Sequence, residues 1–106
     1  DLVLEVSPDP QSERKGDDRH TETAIDLYTA VLGGEARVQT LSGEVLLLNI
    51  PAGTQPGQAF RLGGKGMPHL RAPATFGDLY ARVKIQIPRN LSPEQRKLFE
   101  KLRGLA

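Results

Sequence analysis

Ile50-Pro51-Ala52-Gly53-Thr54-Gln55-Pro56-Gly57-Gln58-Ala59-Phe60-Arg61-Leu62-Gly63-Gly64-Lys65-Gly66-Met67-Pro68 is the stretch that decides how this chain is read. It holds five of the 11 glycines (53, 57, 63, 64, 66) and three of the 8 prolines (51, 56, 68). Between those breakers, Ala59-Phe60-Arg61-Leu62 alternates as a short strand does. Gln55-Pro56-Gly57-Gln58 predicts a tight turn. Proline presets φ at the second position, and glycine accepts the positive φ that a type II turn needs at the third. Gly63-Gly64-Lys65-Gly66 permits a sharp corner or a close backbone approach that a Cβ would resist. Gly64-Lys65 also invites comparison with a phosphate-binding loop. That motif needs glycine five residues before Gly64 and Ser or Thr after the lysine, where this chain has Ala59 and Gly66, and no helix signal follows. The stretch therefore predicts scaffold: a turn, a short strand and a glycine corner that carry the chain between two layers.

Working outward, the downstream side is a loop over Arg71–Phe76 and then the clearest strand, Leu79–Ile87. In it Leu79, Ala81, Val83, Ile85 and Ile87 face one way, and Tyr80, Arg82, Lys84 and Gln86 the other. Pro88 stops it. Upstream, Val45–Ile50 is almost continuously apolar, as suits a strand covered on both faces. Leu41-Ser42-Gly43-Glu44 predicts a hairpin turn from Glu35–Leu41, which places Ala36 and Val38 on one face and Arg37 and Gln39 on the other. Asp26 is placed to cap a short helix over Leu27–Leu32, closed by Gly33-Gly34. Thr21, Thr23 and Ile25 alternate with polar residues in a half-exposed strand. Ser7–Gly16 reads as a connector after a short apolar strand, Leu2–Val6. At the other end, Ser92-Pro93-Glu94-Gln95 combines an N-cap, proline at the first helical position and a capping-box glutamine, and Gly104 supplies a stop. The expected fold is all-β: a two-layer antiparallel β-sandwich with one short internal helix and a C-terminal amphipathic helix.

The 106 residues suffice for one domain with its own core. With 0 cysteines, disulfides, thiol catalysis and cysteine-ligated zinc are excluded for this chain. A formal net charge of +1 gives no bulk electrostatic case for nucleic acid or an anionic membrane. No apolar run approaches the ~18 residues of a membrane span. The chain begins at Asp1 directly in a strand-like run, as expected of a piece of something longer.

Candidate chemistry is sparse. Asp18, His20 and Glu22 share one strand face, the pattern of a metal or acid–base trio, but nothing else in the sequence completes such a site, and a solvated strand face accounts for them. His69 reads as a surface loop residue. Ser7, Ser12, Ser42 and Ser92 lack a nucleophile context. No catalytic constellation, metal set or cofactor motif emerges. Arg61, Lys65, His69 and Arg71 could form a basic patch beside the glycine corner, although with 3 Phe, 2 Tyr and 0 Trp there is little to stack bases. Leu98, Phe99 and Leu102 make one apolar stripe on an otherwise charged terminal helix. It must cover either its own sandwich or another chain.

The order of these signals resembles a known family. Asp26–Gly34 (DLYTAVLGG), Arg37–Gly43 (RVQTLSG), Ile50–Gly57 (IPAGTQPG), Phe60–Pro68 (FRLGGKGMP) and Gly77–Val83 (GDLYARV) together look like the C-terminal substrate-binding region of the DnaJ family of J-domain co-chaperones. In that family two similar β-sandwiches follow one another, and Asp1-Leu2-x-x-x-Val6 echoes Asp78-Leu79-x-x-x-Val83. The resemblance implies that residues 1–6 are the last strand of a preceding similar domain and 7–16 a connector. It makes 17–90 the second sandwich and 91–106 a dimerisation helix, with Leu98, Phe99 and Leu102 at the homodimer contact. It further implies a non-enzymatic, cytoplasmic module that binds unfolded client polypeptides and, within the full-length protein, presents them to a DnaK-type chaperone. The alternative is a nucleic-acid-binding β module, whose binding through Lys65 and Arg71 would weaken steeply with salt. The chain departs from the family pattern at Ser12, Arg19-His20, Thr23 and Gly63. Its Val45–Ile50 strand is one residue longer than is common, which suggests a bulge there.

Overall fold

The computed structural model describes residues 12–106, so the expected Leu2–Val6 strand lies outside the described residues. Six strands and two helices follow in order: β1 (Ser12–Lys15), β2 (Asp18–Asp26), α1 (Leu27–Leu32), β3 (Gly34–Gln39), β4 (Val45–Ile50), β5 (Ala59–Leu62), β6 (Leu79–Gln86) and α2 (Pro93–Leu105). One layer is a four-stranded sheet in the order β1-β2-β6-β5, and the other is the β3-β4 hairpin. Ile25, Leu79, Ala81 and Val83 from the first layer meet Ala36, Val38, Leu48 and Ile50 from the second, with Ala30 of α1 closing one end of this core.

The alternations read from the sequence hold in β2, β3 and β6, except that β6 ends at Gln86 and Ile87, expected on its inner face, is 65% exposed. Three expectations change. First, Ser12–Lys15 is a strand paired antiparallel with β2 across the Gly16-Asp17 turn, where a connector is expected. Secondly, β2 and β6 run parallel, from Arg19 opposite Leu79 to Asp26 opposite Gln86, so the sheet is mixed. Alternation fixes which face a residue takes, but it is silent on the direction of the neighbouring strand. Thirdly, β4 is covered on one face only. Leu48 and Ile50 are buried, whereas Val45 and Leu47 stay 51% and 63% exposed. Its pairing with β3 is unbroken from Gln39 opposite Val45 to Gly34 opposite Ile50, so the bulge expected in β4 is absent.

A bulge does exist, in the stretch that decides the fold. The Gly57 N–H donates to the Val83 carbonyl, and the Val83 N–H donates to the Gln58 carbonyl, both at 2.8 Å, so two residues of one strand face one of the other. Gly57 has φ +84, and the Gln58 N–H closes the turn on the Gln55 carbonyl at 3.2 Å. This is the expected type II turn running into a glycine bulge. It delivers β5 onto β6 after the chain has left the hairpin layer. On the way, the N–H groups of Gly53 and Thr54 donate to the Ala30 carbonyl at 2.8 and 3.0 Å, satisfying the C-terminal end of α1. The N-terminal end is capped by Asp26, which accepts the Thr29 N–H at 2.7 Å.

The glycine corner is a meeting of three backbones. The Met67 N–H donates to the Asp17 carbonyl at 2.7 Å, the Gly66 N–H to Gly77 at 2.8 Å, and the Gly77 N–H to Met67 at 2.9 Å. A Cβ on Gly66 would lie 2.5 Å from the Asp78 carbonyl oxygen and 2.7 Å from that of Asp17. Asp78 binds the corner together. Its carboxylate accepts from Arg61 Nε at 2.7 Å and from the Gly64 N–H at 2.9 Å, and its own N–H donates to Asp18 Oδ1 at 2.7 Å. The Arg61 hydrogen bond first, and the Gly64 N–H second, hold the Asp78 carboxyl below the usual carboxylate range.

Two outcomes follow for stability. Gly66→Ala forces backbone against backbone and is expected to cost ~3 kcal/mol or more. Gly43→Ala, with φ +89 but open space around it, is expected to cost only ~1–2 kcal/mol. Urea unfolding of the two variants checks the ranking. For Asp78, the folded-state pKa lies below the unfolded one, so its contribution is complete above about pH 4 and is lost as pH falls through the lowered folded value. Asp78→Asn should therefore lower Tm by a few degrees at neutral pH and flatten the fall of Tm on acidification. Calorimetry across that pH range measures both.

Candidate functional site

The residues singled out for chemistry are engaged in structure. Asp18 spends its carboxylate on the Asp78 N–H at 2.7 Å, and His20 stacks on Tyr80 with ring centroids 5.0 Å apart. With Glu22 they share the outer face of β2, opposite Tyr80 and Arg82 of β6. Among the described residues no group of His, Cys, Asp and Glu is arranged to hold a metal ion. The basic patch is largely neutralised. Arg61 sits on Asp78, which raises the guanidinium pKa further, Lys65 reaches Glu44 at 3.2 Å, and His69 meets Asp17 through Nδ1. His69 is thus a half-buried residue of a surface loop, one that ties its loop to the β1–β2 turn. Arg71 is exposed on the same loop.

What the surface presents instead is apolar. α2 begins with the capping box expected: Ser92 accepts the Gln95 N–H at 3.1 Å, and Gln95 Oε1 accepts the Ser92 N–H at 2.8 Å. The helix runs through Gly104 to Leu105 instead of stopping before the glycine, since a glycine in the last turn costs only ~1 kcal/mol. None of its residues is buried. Leu98 and Leu102 are 56% and 61% exposed, while Phe99 is half-buried with its ring 6.3 Å from that of Tyr28 on α1. Of the three stripe residues, then, only Phe99 has an aromatic neighbour on the sandwich. Tyr28 is a site residue that the sequence reading passed over. Its signal was an aromatic on the outer side of a six-residue helix too short to bury it.

Two depressions flank the hairpin. One, of about 390 Å³, lies between β2 and β3 and is mainly polar, with Arg19, Thr23, Arg37, Gln39 and Thr40 in its walls. The other, of about 270 Å³, lies between the β3–β4 turn and the glycine corner and is lined by Leu41, Glu44, Gly64, Lys65, Pro68 and Phe76. Leu41 and Phe76 are both exposed at its rim. Neither holds a constellation of nucleophile and base.

Comparison with known proteins agrees with this picture. The family model described as DnaJ C terminal domain matches residues 1–88. The chaperone protein DnaJ of Bartonella henselae is 44% identical over 105 residues, covering 99% of this chain and 28% of that protein. Those of Brucella anthropi and Bartonella quintana are 44% and 43% identical, with the same coverage. The chain thus spans 28% of the length of these curated relatives. Its motif order, its two-layer fold and this match along nearly the whole chain lead to one conclusion: the chain belongs to the family of DnaJ C-terminal domains.

Proposed function

We propose that this domain is a non-enzymatic co-chaperone module that binds unfolded client polypeptides and dimerises through α2. Within a longer cytoplasmic protein it presents those clients to a DnaK-type chaperone. In this reading residues 1–6 close a preceding similar domain, and 91–106 carry the dimer contact. The relatives named as chaperone DnaJ support the general role. The observation that carries the dimer is a capped, 13-residue helix that buries none of its residues in its own chain while exposing Leu98 and Leu102.

The physical logic is avidity. A weak apolar site on each of two arms binds one unfolded chain far better than either alone, provided the dimer holds the arms at a span the client can bridge. Burial of Leu98, Phe99 and Leu102 in the partner is worth ~1.5–3 kcal/mol for each side chain. Removing one of them should therefore shift the monomer–dimer equilibrium without touching the core. Phe99→Asp is expected to leave the circular dichroism of the sandwich unchanged while the mass measured by light scattering halves. An unchanged mass, or a wild-type chain already monomeric at high concentration, would sink the dimer reading.

A further inference from the structure

α2 is joined to its sandwich by very little, and most of that sits in one place. β6 ends at Gln86 and the helix begins at Pro93, so Ile87-Pro88-Arg89-Asn90-Leu91-Ser92 is the covalent link between them. Pro88 restricts one φ, but Arg89-Asn90-Leu91-Ser92 keep both backbone torsions soft, so the link alone sets no direction for the helix. Among the described residues no hydrogen bond or ion pair ties α2 to the sandwich. The Ser92–Gln95 bonds and the Arg96–Glu100 ion pair at 3.5 Å are internal to the helix and its cap. Phe99 is the one residue of α2 that is not exposed. Its ring lies 6.3 Å from that of Tyr28 at an angle of 39°, as in a tilted aromatic pair.

Tyr28 is the fixed member of that pair. It sits on α1, which is held at both ends. Asp26 caps the helix through the Thr29 N–H at 2.7 Å, and the carbonyl of the buried Ala30 is taken by the N–H groups of Gly53 and Thr54. α2 is the part that can swing. Helical geometry turns the single ring contact into an orientation. At about 100° per residue, Phe99 lies to one side of Leu98, while Leu98, Leu102 and Leu105 fall within roughly 60° of one another. All three leucines are exposed. With Phe99 set on Tyr28, the roll of the helix is checked, and the leucines face one direction in the frame of the sandwich.

We propose that Tyr28 is a positioning residue for the dimer: its contact with Phe99 fixes the angle between α2 and the sandwich, and thereby the span between the two arms. This rests on the dimer reading above and names the group that sets its geometry. In a two-fold dimer the seam is shared, so the angle set at one elbow is repeated at the other, and any tilt of α2 is magnified at the far end of each arm. Span matters because avidity falls away when the linkage between two sites is not matched to their separation. A fixed elbow selects clients whose apolar segments lie at one spacing along the chain. A loose elbow accepts many spacings, each at a lower effective concentration.

The chain has 0 cysteines, so nitroxide labels can be placed singly or in pairs. Two exposed positions serve, Arg37→Cys on β3 and Lys97→Cys on α2. The doubly labelled chain, diluted with unlabelled chain, reports the intrachain distance by pulsed electron spin resonance. Arg37→Cys alone reports the distance between the arms. Light scattering gives the mass, and circular dichroism the fold. Expected are narrow distributions for both distances, at least twofold broader for Tyr28→Ala and narrow again for Tyr28→Phe, with the mass of a dimer throughout. The elbow is overturned if Tyr28→Ala leaves both widths unchanged, or if the chain with Tyr28 intact is already as broad. Broadening within the chain but not between the arms overturns the claim that the elbow sets the span. A Tyr28→Ala chain that turns monomeric also overturns it, because Tyr28 is then part of the dimer contact itself. A monomeric chain with Tyr28 intact removes the dimer reading and the span with it, and the intrachain width then decides separately whether Tyr28 orients α2.

Discussion

β2 and β6 lie side by side over eight residue pairs, in parallel, and the rest of the domain is arranged so that they can. Parallel neighbours cannot be joined by a tight turn, so the chain must leave the sheet and come back. α1 takes it out, the β3–β4 hairpin forms the opposite layer, and the Pro51–Gln58 segment returns it. Each step has a local device: the Asp26 cap, the positive φ of Gly33 at the helix end, and the turn and bulge at Gly57. The corner at Gly66 and Gly77 then lets β6 start beside Asp17 and Asp18 with no side chain in the way. The buried face of this pair, with Leu79 and Ala81 fully inaccessible, is the floor on which the hairpin rests.

Much of this was legible because the devices are local. An N-cap, a type II turn, a capping box and a period of two each depend on a few neighbouring residues. The glycine corner was also legible as a corner, since Gly63-Gly64-Lys65-Gly66 failed every requirement of a phosphate loop except the Gly-Lys pair. What could not be read depends on partners distant in sequence. The direction of β6 relative to β2 is set by how the chain returns, not by either strand. The apolar run Val45–Ile50 is compatible with one covered face or two, and only the two-stranded extent of its layer decides that Val45 and Leu47 stay outside.

The site followed the same division. The stripe Leu98-Phe99-Leu102 was visible from helical spacing alone, but its relation to the sandwich through Tyr28 was not. For the polar candidates it was the partners that could not be read. Asp18, Arg61, Lys65 and His69 look like functional groups in sequence because nothing nearby pairs with them. Their partners Asp78, Glu44 and Asp17 sit far along the chain, with separations of 60, 17, 21 and 52 residues, respectively. Charges that seem available in one dimension are consumed as fasteners in three. The apolar residues left outside are the ones with no such use.

The parallel pairing also bears on how the chain acquires its structure. Arg19 meets Leu79 across 79 − 19 = 60 residues, so the central ladder closes only after a long loop has been ordered. Non-local pairing of this kind places folding in the slow range for a small domain, ~milliseconds to seconds, because loop-closure entropy is lost before the contacts form. During synthesis the hairpin can form as soon as Ile50 has emerged, yet its inner residues Leu48 and Ile50 have no floor until β6 leaves the ribosome. The domain thus passes through an interval in which half of its own core is bare, and the length of that interval is set by the position of its last strand.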